Sequence, residues 1–167
     1  MTVDRKTADR RELTFSTLDE AVAEAERLAA GPVRVTGNQS FPQLVEHLAK
    51  SVHANVAGLE AKFGLPMRAV AWCLRTFLGG VLRKKATTSR MSPGINLPKV
   101  LEPEFAGSPE ASIEVALDHY RNALRRLREA DDIPTHPVLG KMTPRECEQL
   151  HCRHAELHLG FVHPAGA

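Results

Sequence analysis

The stretch T143-P-R-E-C-E-Q-L-H-C-R-H-A-E-L-H-L-G160 predicts one helix with a cysteine and three histidines on a single face. Thr143 is a favourable N-cap, Pro144 suits the first helical position, and Glu146 completes a capping box three residues after the cap. Gly160 marks the expected end. With about 100° of turn per residue, one stripe roughly 40–60° wide contains Cys147, His151, His154 and His158.

Apolar side chains share this face, because Leu150, Leu157 and Phe161 fall beside the histidines. A face that is half apolar and half imidazole belongs at the interior edge of a helical bundle. Imidazoles that are buried there need hydrogen-bond or metal partners. The last helix is therefore the first place to look for a site.

Four further segments show apolar residues at helical spacing, namely 17–30, 40–62, 66–85 and 108–130. Thr17 with Glu20 and Ser40 with Gln43 predict two more capping boxes. The Gly79-Gly80 pair is expected to bend or fray the third helix. Ser108-Pro109 is the expected start of the fourth.

The connections between these segments are mostly short, which favours antiparallel packing in an all-α bundle. The expected bundle helices are 17–30, 40–62, 108–130 and 143–160. The helix at 66–85 is either a fifth core member or part of a long crossover, because residues 86–107 hold three prolines and form the one long connection. The segment Val33-Arg34-Val35 is too short to predict a strand that contributes to the fold.

Residues 1–15 are charged and aperiodic, and we expect a mobile arm or a short docking segment there. Residues 16–163 are expected to form a single domain, since 167 residues with 43% hydrophobic and 25% charged residues suit one globular core.

The formal net charge of +2 does not indicate a nucleic-acid partner, and the cluster Arg83-Lys84-Lys85 is typical of a solvated helix end. Three cysteines without a paired spacing suggest a reducing compartment, so we expect a cytoplasmic protein. No signal peptide is apparent. The most apolar segment, 69–82, is too short to span a bilayer, and no membrane partner is expected.

A fourth histidine extends the chemistry of the last helix. In F41-P-Q-L-V-E-H-L-A-K50, His47 lies on the flank of the apolar stripe, whereas Glu46 is expected to be solvated and His53 to face the opposite side. An i, i+4 histidine pair plus one histidine from a neighbouring helix makes a facial ligand set with open coordination positions. His47, His154 and His158 meet that requirement.

Other assignments remain open from the residues alone. Cys147 and His151 are also spaced i, i+4, and Cys147 could be a fourth ligand, a thiol nucleophile or a small buried hydrophobe. His119 is expected to be exposed. His136 could cover the mouth of the site or cap the last helix. No nucleophile elbow or glycine-rich phosphate loop supports a hydrolase or nucleotide-binding function.

The runs G37-N-Q-S-F-P-Q-L-V-E-H-L-A49, H136-P-V-L-G140 and L150-H-C-R-H-A-E-L-H-L-G-F161 resemble the DinB-like superfamily of four-helix bundles. Within it, the chain is most similar to a bacterial branch known only as a domain of unknown function. The resemblance extends from about Arg11 to Phe161. It differs from many members at Gln39, where they have tryptophan, and at His154-Ala155, where they have adjacent histidines.

The resemblance implies an up-down-down-up bundle with a long crossover carrying an extra helix. It also implies a divalent metal ion, among Zn, Ni, Fe or Mn, held at the positions of His47, His154 and His158. Some superfamily members are transferases or isomerases that use a low-molecular-weight thiol. The resemblance thus implies group transfer or isomerisation on a small-molecule substrate as one function for this chain.

A second class of function is compatible with the same residues. The histidines of a non-catalytic bundle would be satisfied by hydrogen bonds or would hold a structural metal, and the protein would act by homodimerisation or partner binding. A structural zinc site is expected to have four protein ligands, with Cys147 or His151 as the fourth. A three-ligand site with an open position favours catalysis.

Overall fold

The computed structural model describes residues 4, 7–58, 65–93 and 106–165, and within them the chain is mostly helical. The helices are α1 (Leu18–Ala29), α2 (Phe41–Ala57), α3 (Leu65–Cys73), α4 (Gly79–Thr88), α5 (Ile113–Glu129) and α6 (Pro144–Leu159). A π-helical turn, Leu74–Leu78, joins α3 to α4, and the strands are β1 (Val33–Val35) and β2 (Val162–Pro164). The prediction of a predominantly helical protein is confirmed.

The capping residues fix where the main helices begin. Complete capping boxes are present at Ser40 with Gln43 and at Thr143 with Glu146, as predicted. At α1 only half of the box forms: Thr17 accepts from the Glu20 amide, whereas the Glu20 carboxylate accepts from the amide of Ser16. The predicted capping box at this helix is therefore incomplete.

Contacts between helices give their directions. The pairs Glu46–His119 and His53–Arg126 advance together along α2 and α5, so these two helices run parallel. Arg121–Glu26 and Arg128–Asp19 advance in opposite senses along α5 and α1, which are therefore antiparallel. Both α1 and α2 also pack against α6. The core between these four helices includes Leu18, Leu28, Leu48, Val52, Tyr120 and Leu159.

The predicted third helix is continuous across the π-helical turn and extends to Thr88, three residues beyond the prediction. Gly79 and Gly80 do not fray it. Gly79 is buried against the loop before α6, and a Cβ atom built there would lie 3.4 Å from the carbonyl oxygen of Val138, an ordinary van der Waals contact. The local irregularity is the π-helical turn just before this glycine pair.

Two helix boundaries and one strand in the structure differ from the sequence predictions. The second helix ends at Ala57 rather than near Lys62, because Gly58 takes a positive φ of 92°; residues 59–62 lie outside the described residues. The fourth begins at Ile113 rather than at Ser108, because the Ser112 hydroxyl caps the Val115 amide at 3.3 Å. Most of the long connection, 94–105, also lies outside the described residues.

The short segment Val33–Val35 does form a strand. It pairs antiparallel with Val162–Pro164, in a register that joins Val33 to Pro164 and Val35 to Val162. This pairing brings the chain just after α1 to the chain just after α6. Because Leu18 at the start of α1 also contacts Glu148 near the start of α6, these two helices run parallel.

The segment before α1 lies along the second half of α6. The Arg11 amide donates to the carbonyl of Gly160 at 2.8 Å, and its guanidinium donates to that of Val162 at 2.6 Å. Phe15 is buried, and its amide donates to the Glu156 carboxylate at 2.7 Å. None of the helices within the described ranges has the length and apolar character needed to cross a lipid bilayer.

Candidate metal centre

Helices α2 and α6 bring three histidines together from distant parts of the sequence. The contacts His47–His154 and Asn55–His151 run in opposite senses, so the two helices are antiparallel at the site. The Nε2 atoms of His47 and His154 are 3.2 Å apart. The ring centroids of His47 and His154 each lie 4.6 Å from that of His158.

The donor atoms of this histidine triad fit a metal ion. Each ring offers one nitrogen, and the three nitrogens all lie within 4.8 Å of one another. Two imidazole nitrogens bound to one tetrahedral zinc at 2.0–2.1 Å are about 3.4 Å apart. The separation of 3.2 Å between His47 and His154 is close to that value. Within the described parts of the chain, this is the one group of three or more such donors that could hold an ion.

The protonation state of His154 favours metal binding. Burial, followed by the nearby His158 and His47, holds the pKa of His154 well below its usual value. His154 is therefore neutral at pH 7, which is the form that binds metals. Burial would also keep a histidine neutral in a metal-free hydrogen-bond network. The lowered pKa of His154 therefore does not distinguish a metal site from such a network.

His151 lies one turn before His154, but it contacts a different partner. It is almost fully buried, and its Nε2 lies 2.9 Å from Nδ2 of Asn55. An amide nitrogen can only donate, so this contact makes Nε2 the acceptor and places the ring proton on Nδ1. Burial lowers the pKa of His151 to about 3, with smaller contributions from His136 and His47. The alternative ligand is therefore hydrogen-bonded to Asn55.

Cys147, the other alternative ligand, is fully buried in the hydrophobic core. Burial, with a smaller contribution from Glu148, raises the pKa of its thiol to about 12. A neutral thiol is not a nucleophile, and Cys147 is not among the residues whose donor atoms converge at the triad. The structure supports the third option from the sequence, a small buried side chain.

Two polar contacts near the site were not predicted from the sequence. Glu46 is buried rather than solvated, and its carboxylate lies 2.8 Å from Nδ1 of the half-exposed His119. Asn55, the partner of His151, was not singled out at all. Its position eight residues after His47 places it on a similar face of α2, two turns further along, and that spacing was the available signal.

His136 lies in the loop before α6, where its Nδ1 accepts hydrogen bonds from the amides of Val138 and Leu139, both at 3.1 Å. Burial lowers the pKa of this imidazole to about 4. These two hydrogen bonds stay within the loop. They therefore provide neither of the predicted roles, which were to cover the mouth of the site or to cap α6. The loop also contains the isolated bridge from His136 to Gly140.

A comparison with protein families gives one match. The family described as "Protein of unknown function (DUF1569)" matches residues 7–165, which is nearly the whole chain. No curated protein and no solved structure matches the chain. The description of this family names no activity, so any functional assignment depends on the site itself.

Proposed function

Since the chain belongs to the uncharacterised DUF1569 family, we propose from its own geometry that it binds one divalent metal ion through His47, His154 and His158. The observation that carries this proposal is the convergence of three imidazole nitrogens within 4.8 Å of one another. The neutral state of His154, which its lowered pKa implies at pH 7, supports it.

We further propose that α1, α2, α5 and α6 form the up-down-down-up bundle of the DinB-like superfamily. The parallel pairing of α2 with α5, and of α1 with α6, supports this order, as does the antiparallel pairing of α1 with α5. The helix from Leu65 to Thr88 would then belong to the long crossover. A solved structure with this topology and the metal bound would test it.

The proposed chemistry is transfer or isomerisation on a small molecule. Three imidazoles leave coordination positions open, and a bound divalent ion lowers the pKa of a water or thiol that occupies one of them. The contact of His151 with Asn55 supports a three-ligand site, since it engages one nitrogen of the fourth imidazole. The use of a low-molecular-weight thiol follows from the DinB-like resemblance alone.

The donor set suits Zn, Ni, Fe and Mn, so the native ion must be measured. The protein should be purified without a nickel column and analysed for bound metals. We expect one ion per chain in the wild type and none in the His154→Ala/His158→Ala double variant. The matched control, His53→Ala, removes an exposed imidazole on α2 and should keep the ion. A full complement of metal in the double variant would refute the assignment.

The thiol requires a separate experiment. In the cobalt-substituted protein, a small thiol such as mercaptoethanol should add a sulfur-to-metal charge-transfer band if an open position accepts it. Ethylene glycol, which has a hydroxyl in place of the thiol, is the control and should add none. A cobalt spectrum that does not respond to the thiol would leave metal binding intact and exclude thiol activation.

The second candidate is a non-catalytic protein in which the histidines bond to one another. The separation of 3.2 Å between the Nε2 atoms of His47 and His154 is also a hydrogen-bond distance, with one ring as donor. This function predicts no bound ion after purification without nickel and no stabilisation by added metals.

The free state of Cys73, Cys147 and Cys152 agrees with the reducing, cytoplasmic location that we propose for either function.

A further inference from the structure

The surface of the helix Leu65–Thr88, which comprises α3, the π-helical turn and α4, is unusually apolar. Six of the seven large apolar side chains that are exposed among the described residues come from it: Leu65, Val70, Trp72, Phe77, Leu78 and Val81. Single exposed apolar residues are ordinary on protein surfaces, but a concentration of them marks an interaction surface.

Four of these side chains form a continuous apolar stripe, consisting of Leu65, Trp72, Phe77 and Val81. They follow one another at intervals of seven, five and four residues. Seven and four are helical repeats, and the interval of five spans the π-helical turn, where residues five apart are close. The rings of Trp72 and Phe77 meet edge to face, with centroids 6.4 Å apart. The four residues are 80%, 53%, 75% and 69% exposed.

The charge of the same segment is one-sided. Residues 65–93 contain six basic residues and no acidic one, which leaves 16 of the 22 basic residues against all 20 acidic residues in the rest of the chain. Arg83 pairs with Glu146 at 3.2 Å and Arg90 with Glu12 at 2.7 Å. The other four cations, Arg68, Arg75, Lys84 and Lys85, are exposed.

Three of these cations flank the apolar stripe. Arg68 lies one turn from both Leu65 and Trp72, and Lys84 and Lys85 lie one turn beyond Val81. Basic side chains beside an apolar row with Trp and Phe are characteristic of helices that lie in the interface of anionic membranes. The stripe is roughly 25 Å long, from 1.5 Å of rise per residue.

We propose that the helix Leu65–Thr88 docks its apolar stripe onto an anionic lipid surface. The proposal does not depend on the metal site. A second copy of the chain is a poorer occupant, because two such helices meeting stripe to stripe would bring cations against cations. A lipid surface, unlike a protein partner, can accept a single exposed helix without having a complementary shape. The sequence predicts no membrane partner because no segment is long enough to span a bilayer, but docking onto a lipid surface needs no such span.

Co-sedimentation with phosphatidylcholine vesicles, with and without phosphatidylserine, tests the proposal on the full chain. We expect binding to the anionic vesicles alone, weakened by high salt. Lys84→Gln/Lys85→Gln should weaken it about 25-fold, from roughly fivefold for each cation removed. Trp72→Ala/Phe77→Ala should weaken it more than tenfold, because it removes the aromatic part of the stripe.

Matched controls lie on α5. Arg125→Gln/Arg126→Gln removes two exposed cations, and Val115→Ala shortens the one exposed large apolar side chain among the described residues outside the helix. Both should bind as the wild type does. Thermal melts should show that all variants remain folded, since the altered residues are exposed.

Unchanged vesicle binding of Trp72→Ala/Phe77→Ala would overturn the proposal, and so would any of three further results. The first is no binding to either kind of vesicle. The second is a wild-type dimer by sedimentation velocity that this variant converts to a monomer, without vesicle binding, which would assign the stripe to a second copy. The third is binding to polyglutamate but not to vesicles, which would assign it to an acidic polypeptide.

Discussion

The buried imidazole of His151 should make the stability of the metal-free protein depend on pH. Its pKa is lowered to about 3 by burial, whereas an unfolded histidine titrates near 6.5. Between these values the unfolded chain binds a proton at this residue and the folded chain does not. The stability that neutral His151 contributes is therefore complete above about pH 6.5 and is lost as the pH falls towards about 3.

The size of the effect follows from the width of this window. At pH 5 the unfolded imidazole is about 1.5 pH units below its pKa, and each unit corresponds to about 1.4 kcal/mol. Acidification from pH 7.5 to pH 5 should therefore lower the free energy of unfolding by about 2 kcal/mol through His151 alone. His136, whose pKa is lowered to about 4, decreases the stability over the same range.

A substitution isolates the contribution of His151. His151→Gln keeps an acceptor oxygen for the Asn55 amide but does not titrate. Urea denaturation of wild type and variant, both with chelator, should give two unfolding free energies at pH 7.5 and two at pH 5. We expect the decrease on acidification to be about 2 kcal/mol smaller in the variant. His53→Gln, on the exposed side of α2, serves as the control and should behave as the wild type. Equal decreases in wild type and His151→Gln would refute the assignment of a neutral, buried imidazole.

Three further predictions concern the metal and the scaffold. Metal affinity should fall as the pH drops towards the lowered pKa of His154, well below the usual value of about 6.5, because a proton competes with the ion for this imidazole only at more acidic pH; titration calorimetry at several pH values would show this, and a pH-independent affinity would exclude histidine ligands. Chelation at neutral pH should lower the melting temperature but preserve a cooperative transition, because apolar core residues on α1, α2, α5 and α6 stabilise the fold; loss of the helices on chelation would favour a structural metal. Glu156→Ala should cost about 2–3 kcal/mol in urea denaturation, since it leaves the Phe15 amide without its acceptor and removes one partner of the partly buried Arg153; exposed Glu129→Ala should cost under about 0.5 kcal/mol, and similar losses in both would contradict a stabilising role of Glu156.

Local signals in the sequence determined most of the helices. Capping boxes at Ser40 and Thr143 are made by residues three positions apart, so the sequence placed the starts of α2 and α6 to within one residue. The periodicity of α6 likewise set its histidines on one face, because the rotation per residue is fixed. The start of α5 was missed since both Ser108 and Ser112 are acceptable caps, and only the folded chain shows which hydroxyl accepts a bond.

Contacts between distant residues were decided by the tertiary structure. Val33–Val35 becomes a strand only because its partner, Val162–Pro164, returns to the same end of α1. Glu46 has the local pattern of a solvated residue, yet α5 covers it and supplies His119. The position of His47 on the flank of α2 makes it a predictable candidate ligand. The distance of 3.2 Å between its Nε2 atom and that of His154, however, depends on the antiparallel packing of α2 against α6. A sequence fixes side-chain direction within a helix, whereas the separation of two side chains on different helices depends on how those helices pack.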